Sequence, residues 1–276
     1  MDNRPIGVFD SGLGGLTAVK ELEEVLPGES IVYFGDTGRV PYGTRSRDTV
    51  RAYARQDMGF LLSRGVKAVL TACGTVSSTS ADIGAALPVP YFDVILPTAR
   101  AARAATRTGR IGVIATSATI HSGAYSRALA GLDPSLEVFP QACPLFVPLV
   151  ENGFIDPEEE ITRLVAERYL APLQAAGIDT LILGCTHYPL LAPILRKVLG
   201  EGVALIDSGR EAALALADSL RERDLLAAPG TPRTACYFVT DTPESFVTVA
   251  RLFLGHPVEE PRLVLNIESY GPTESP

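Results

Sequence analysis

Two segments of this chain each occur twice, and that duplication restricts the architecture more than any other feature. Ile6-Gly7-Val8-Phe9-Asp10-Ser11 is echoed by Ile111-Gly112-Val113-Ile114-Ala115-Thr116. Ala68-Val69-Leu70-Thr71-Ala72-Cys73 is echoed by Thr180-Leu181-Ile182-Leu183-Gly184-Cys185. The offset is roughly 110 residues in both cases, as expected of a duplicated half with insertions. Each copy is a short, nearly continuous apolar run, the pattern of a strand buried on both faces of a parallel sheet. Helical patterns lie between the runs: Leu16 to Val25, stopped by Pro27-Gly28, and Asp48 to Leu62. Strands alternating with helices imply β-α-β units.

The chain therefore reads as α/β, with two pseudo-symmetric lobes, each a parallel sheet flanked by helices, and the active site between them. Residues 1–97 plus 208–276 form the first lobe and carry Cys73; residues 98–207 form the second and carry Cys185. Cys236-Tyr237-Phe238-Val239-Thr240 reads as one more strand, returned to the first lobe. Hinges are expected near Pro97 and near Asp207-Ser208. The tail, residues 271–276, is expected to fray.

Composition narrows the function classes. With 24 Lys+Arg against 32 Asp+Glu the net charge is −8, which lacks the basic footprint of a nucleic-acid binder. No apolar run reaches the ~18–20 residues of a membrane span, and Met1-Asp2-Asn3-Arg4 does not resemble a signal peptide, so a cytoplasmic address is expected. Four cysteines are too few for a disulfide scaffold and read as free thiols.

Cys73 and Cys185 are the informative pair. Each closes an apolar strand, where open α/β sheets bind ligands. A helix follows each, and its positive end is expected to draw the thiol pKa down from ~8.5 toward neutrality. Two thiols in facing lobes suit one task in particular. A base on one face of a carbon and an acid on the other invert a stereocentre, and without a cofactor the two groups need similar basicity so that they can exchange roles.

The loop Gly12-Leu13-Gly14-Gly15 opens a helix and reads as a place where backbone N–H groups approach an anion. A dinucleotide fingerprint would need a glycine at Thr17, and the Gly-Lys-Ser/Thr of a P-loop is absent, so a carboxylate fits better than a phosphate. Ser11 is placed to donate to such a ligand. Asp36-Thr37-Gly38 resembles an aspartic-protease triplet, but that site needs two copies and Asp241-Thr242-Pro243 breaks the second.

Four segments together carry a resemblance. They are Gly7 to Gly15, Tyr33-Phe34-Gly35-Asp36-Thr37 with Val40-Pro41-Tyr42-Gly43, Cys143 to Glu151, and Gly184-Cys185-Thr186-His187-Tyr188-Pro189-Leu190-Leu191. In this order and spacing, from residue 6 to about 240, the chain resembles the bacterial glutamate racemases of the cofactor-independent aspartate/glutamate racemase family. The resemblance implies two pseudo-symmetric lobes, no cofactor and no metal. It implies that Cys73 takes the α-proton of D-glutamate and Cys185 that of L-glutamate. It assigns glutamate contacts to Asp10, Ser11, Tyr42, Gly43, Gly74, Thr75, Thr186 and His187. Asp10 near Cys73, His187 near Cys185, and the acids Asp36 and Glu151 are assigned supporting acid/base or orienting roles. It further implies a homodimer and a role in supplying D-glutamate for peptidoglycan.

One position departs from the pattern. The family usually carries Asn between the first cysteine and the following Thr; here the run is Cys73-Gly74-Thr75. A lost hydrogen bond to a charged group costs about 1.5–3 kcal/mol. That departure leaves open a racemase for another amino acid such as aspartate, or a catalytically weak amino-acid-binding regulator on the same fold. Cys143 and Cys236 read as core thiols, His121 and His256 as isolated side chains, and Arg45-Ser46-Arg47 as a solvated face.

Overall fold

A computed structural model describes residues 1–241, 243–259 and 261–271. The tail expected to fray lies outside the described residues beyond Gly271.

The first sheet opens the chain. Its elements are β1 (Ile6–Asp10), α1 (Leu16–Val25), β2 (Ile31–Gly35), α2 (Arg47–Ser63), β3 (Ala68–Thr71), α3 (Gly74–Ala85) and β4 (Tyr91–Asp93). The chain then crosses into α4 (Ile95–Ala105), β5 (Arg110–Ala115), α5 (Ser117–Ser122), α6 (Ala124–Leu132), β6 (Glu137–Ala142), α7 (Phe146–Glu151), α8 (Glu160–Ala175), β7 (Thr180–Leu183), α9 (Ala192–Leu199) and β8 (Ala204–Asp207). It returns through α10 (Ser208–Glu222), β9 (Ala235–Val239), α11 (Pro243–Leu254) and β10 (Arg262–Leu263).

The strand orders are β10-β9-β2-β1-β3-β4 and β6-β5-β7-β8, and every pairing is parallel. Four successive strands of the first sheet correspond to the whole of the second, β2-β1-β3-β4 to β6-β5-β7-β8, so the duplication read in the sequence is a duplication of topology. Every residue of β1 and β2 is buried, as continuous apolar runs require. Pro140 is accommodated because β6 is an edge strand, where a missing N–H breaks no inner ladder.

We take each sheet with its helices as a lobe and propose the chain division at 97–98 and 207–208. In its support, α4 packs on α6, β7 and β8, while α10 packs chiefly on α1. Pro97 itself lies in the first turn of α4, where no intrahelical N–H is needed. Asp207 caps α10 by accepting from the N–H of Gly209 at 2.8 Å and of Arg210 at 3.3 Å.

One apolar core runs through both lobes, joining Leu16 and Leu22 of α1 and Leu216 of α10 to Ala99 of α4 and Ile182 of β7. This seam holds the lobes together on one side and leaves the carboxyl ends of both sheets facing each other. A second cluster, around Phe34, Phe60 and Phe238, covers the other face of the first sheet. Lys67 and Glu29 form a buried ion pair at 2.5 Å. Lys67 Nζ also donates to the carbonyls of Asp2 and Leu225 at 2.7 Å, tying the N-terminus to the returning segment.

Candidate active site

Cys73 follows β3 and Cys185 follows β7, at equivalent points of the two sheets. Both thiols are buried, 5 % and 6 % exposed, yet both open into one cavity of about 370 Å³ between the lobes. Asp10, Ser11, Tyr42, Gly43, Gly74, Thr75, Glu151, Thr186 and His187 line the same cavity.

The surroundings of the two sulfurs differ. Cys73 Sγ lies 3.6 Å from Ser11 Oγ, toward which its S–H donates. The helix terminus does not win the contest expected at Cys73. Burial pushes the thiol up to about 12, the Asp10 charge adds to the rise, and the Val76 N–H and the Ser11 groups only partly oppose it. Cys73 is therefore a protonated thiol in the unliganded protein. Asp10 is itself raised by burial, against the pull of His187 and the N–H groups of Gly15, Gly12 and Ser11.

Cys185 Sγ lies 3.9 Å from His187 Nδ1, and His187 Nε2 lies 3.0 Å from Glu151 Oε1. Burial works against a charged ring, but the hydrogen bonds and charges of Cys185 and Glu151 outweigh it and push His187 up to about 10. Phe253 of α11 packs edge-on against the ring, 5.3 Å between centroids. One lobe thus presents a thiol beside a carboxylate, the other a thiol beside an imidazolium.

The glycine loop acts differently from its sequence reading. The N–H groups of Gly12 and Gly15 donate to Asp10 Oδ2 at 3.3 and 2.9 Å. The anion they hold is the protein's own carboxylate, since Asp10 ends β1 at the point where the loop turns back over it. Gly14 serves a close approach: a Cβ there would lie 2.2 Å from Thr186 Oγ1 and 2.5 Å from the His187 ring. Thr17, where a nucleotide fingerprint would carry glycine, has its hydroxyl 2.9 Å from the Gly14 carbonyl and 3.0 Å from the Thr186 carbonyl, donating across the lobes.

Asp36 does not line the cavity. It is fully buried beneath Tyr42, accepting from the Tyr42 hydroxyl, from Arg39 Nε at 2.6 Å and from Thr240 Oγ1 at 2.8 Å. Asp57, also fully buried, lies 3.0 Å from both Tyr42 Oη and Arg39 Nη2. Burial, and then the neighbouring Asp36, raise its carboxyl well above the ordinary value. These acids hold Tyr42 in place in the cavity wall. Asp57 and Arg39 escaped the sequence reading because nothing local marks a mid-helix Asp as buried.

Thr116 and Thr119 were also missed. Their hydroxyls lie 3.0 Å apart, and Thr116 Oγ1 is 3.2 Å from Thr75 Oγ1, in the cavity wall. The internal repeat held the signal for Thr116, which occupies the place of Ser11. Cys143 is buried as expected. Cys236 is only half-buried: it pairs with Val32 on one side, and on the other β10 pairs with Phe238 and Val239, farther along β9. Among the described residues no three His, Cys, Asp or Glu side chains gather as a metal site, and no helix is long and apolar enough to cross a membrane.

Residues 6–216 match the Asp/Glu/hydantoin racemase family. The chain belongs to that family. It is 47 % identical over 253 residues to a glutamate racemase of Geobacter metallireducens, covering 91 % of this chain and 93 % of the relative. It is 49 % identical over 252 residues to one of Syntrophus aciditrophicus, with the same coverage. Among solved structures, a glutamate racemase of Francisella tularensis in complex with D-glutamate superposes with a TM-score of 0.90 at 42 % identity, covering 98 % of this chain and all of that one. A glutamate racemase isoform of Bacillus anthracis superposes with a TM-score of 0.91 at 40 % identity, covering 96 % and 99 %. The two-lobed α/β fold is that of these racemases.

Proposed function

We propose that the protein interconverts L- and D-glutamate by a two-base mechanism, with Cys73 and Cys185 as the bases. The observation that carries this reading is that two thiols, from equivalent places in two lobes, open into one cavity sized for a small molecule. From L-glutamate, the Cys185 thiolate takes the α-proton and becomes a thiol. The resulting carbanion takes a proton from the Cys73 thiol on its other face, leaving a thiolate there. D-Glutamate reverses both transfers. The imidazolium of His187 is the charge complement that a thiolate at Cys185 requires, and the protonated state of Cys73 supplies the outgoing proton. Ser11, Tyr42, Gly43, Thr75, Thr186 and His187 are assigned to holding the substrate, Gly74 through its backbone, and Asp10 and Glu151 to orienting the proton-transfer groups. A homodimer belongs to the same proposal. D-Glutamate for peptidoglycan, made in the cytoplasm, is the role such an activity would serve.

Incubation with either enantiomer in D2O, without added cofactor, tests the reaction. Loss of the α-proton with inversion is the expected result. Binding without exchange, or inversion of aspartate alone, would overturn it.

The paired carboxylate of Glu151 also sets a pH dependence. His187 has a folded value of about 10 against an ordinary 6.5, so its stabilisation is complete below pH 6.5 and is lost as pH rises through 10. Glu151→Gln removes one of the raising interactions. The alkaline limb of kcat from L-glutamate is expected to move to lower pH, while turnover at neutral pH changes less. A pH–rate profile that keeps its alkaline limb would show that Glu151 does not hold this proton.

A further inference from the structure

Tyr42 reaches the reaction cavity with its hydroxyl already engaged on the protein side. Tyr42 Oη is hydrogen-bonded to Asp36 Oδ2 and lies 3.0 Å from Asp57 Oδ2, and both acids are fully buried. A phenol carries one proton. Burial, reinforced by the two acids, raises the Tyr42 phenol far above its ordinary value, so that proton stays on it. It can be donated to one carboxyl only. The other carboxyl must donate to the phenol oxygen or face it lone pair to lone pair.

The remaining hydrogen bonds decide which acid donates. Asp36 Oδ2 also accepts from Arg39 Nε at 2.6 Å. Asp36 Oδ1 accepts from Thr240 Oγ1 at 2.8 Å; the Thr240 oxygen itself accepts from the Gly38 N–H at 2.8 Å, so its own proton points to Asp36. Tyr42, Arg39 and Thr240 thus all donate to Asp36, which leaves it the acceptor that a carboxylate is. Asp57, on α2, accepts at Oδ1 from Arg39 Nη2 at 3.0 Å, and its Oδ2 faces the phenol oxygen. Charge gives the same answer. Arg39 is the one cation paired with these acids among the described residues; its Nη1 donates to Gln56 Oε1 and its Cζ lies 4.0 Å from the centroid of the Tyr53 ring. One guanidinium balances one carboxylate. A second buried charge without a partner is costly, and a proton on Asp57 removes it. Burial, and then Asp36, raise the Asp57 carboxyl in that direction.

We propose that Asp57 is a neutral carboxylic acid that donates its proton to Tyr42 Oη, and that the hydrogen-bond chain from Asp57 through Tyr42 to Asp36 positions the Tyr42–Gly43 wall of the reaction cavity. Asp57 is a positioning residue: it does not line the cavity and acts through Tyr42. The place of its proton stands apart from the proposed racemisation; only its effect on turnover rests on that reading.

Infrared spectroscopy of the full chain counts the proton. At about pH 8, where ordinary carboxyls are ionised, the difference between the unaltered protein and Asp57→Asn should contain the carbonyl stretch of a protonated carboxyl, shifting in D2O. Kinetics locate it. Asp57→Ala should raise KM for both glutamate enantiomers about tenfold or more, with kcat changed less, since the wall loosens while both thiols remain. Asp57→Asn should recover most of that loss, because a carboxamide keeps the acid's arrangement, oxygen toward Arg39 and N–H toward Tyr42. Asp36→Asn should not, because an amide nitrogen cannot accept where Tyr42, Arg39 and Thr240 all donate. Its KM should rise at least as far as that of Asp57→Ala, or its melting temperature fall below that of Asp57→Asn. Absence of the protonated band, Asp57→Asn no better than Asp57→Ala, or Asp36→Asn as well tolerated as Asp57→Asn would each overturn the proposal. If Asp57→Ala does not fold, the band and the comparison of the two Asn variants decide it. Absence of racemisation in the unaltered protein would instead overturn the reaction, and the band and the melting temperatures would still test the proton on Asp57.

Discussion

Replacement of Cys73 by alanine is expected to lower racemisation in both directions by about 10²–10⁴-fold, and replacement of Cys185 to do the same. Each thiol is a base in one direction and an acid in the other, so no direction escapes the loss of either. The groups left beside each gap cannot substitute. Asp10 is held by the N–H groups of Gly12 and Gly15, and His187 is already engaged with Glu151. Both cysteines are buried but small, so alanine removes one atom and should leave the fold intact, which a thermal melt checks. The optical signal of glutamate reads turnover. A variant with near-normal turnover in either direction would end the two-base account.

Gly74→Asn is expected to reduce kcat/KM by about 10²-fold, although it restores the side chain usual in the family. Two effects oppose each other. A carboxamide bonded to a charged substrate group would contribute about 1.5–3 kcal/mol. Against it, a Cβ at residue 74 would lie 2.5 Å from the Gly184 carbonyl oxygen. That atom is backbone and cannot swing away. Gly74 adjoins Cys73 and Gly184 adjoins Cys185, so the contact sits between the two bases and any relief widens the gap between them. A displacement near 1 Å at reacting atoms costs on the order of 10²-fold, and a hydrogen bond to a widened site recovers little of it. Gly74→Ala separates the effects, since it adds the Cβ without the carboxamide; it should lose activity as well. Enhanced turnover in the Asn variant would show that the lobes open freely at this point.

The elements nearest the chemistry were the most legible. β1, β3, β5 and β7 are buried on both faces, and a strand so placed is apolar along most of its length, so their runs stand out and their ends mark Cys73 and Cys185. β4, β6 and β8 were not read, because they lie at sheet edges with half-exposed residues and short or broken patterns. The resemblance placed Tyr42 among the substrate contacts, yet Asp36, Arg39 and Asp57, which hold it, come from a loop and a distant helix turn that only folding brings together.

From its residues alone the chain determined the duplicated parallel-sheet architecture and the position of one cysteine at the end of a central strand in each half. Both follow from local rules: burial dictates apolar runs, and a strand's end is where its run stops. The tertiary structure decided the protonation of the Cys73 thiol, the partner of the glycine loop and the closeness of Gly74 to Gly184. Each of these depends on desolvation or on contact between groups distant in sequence, and neither quantity exists until the lobes face each other.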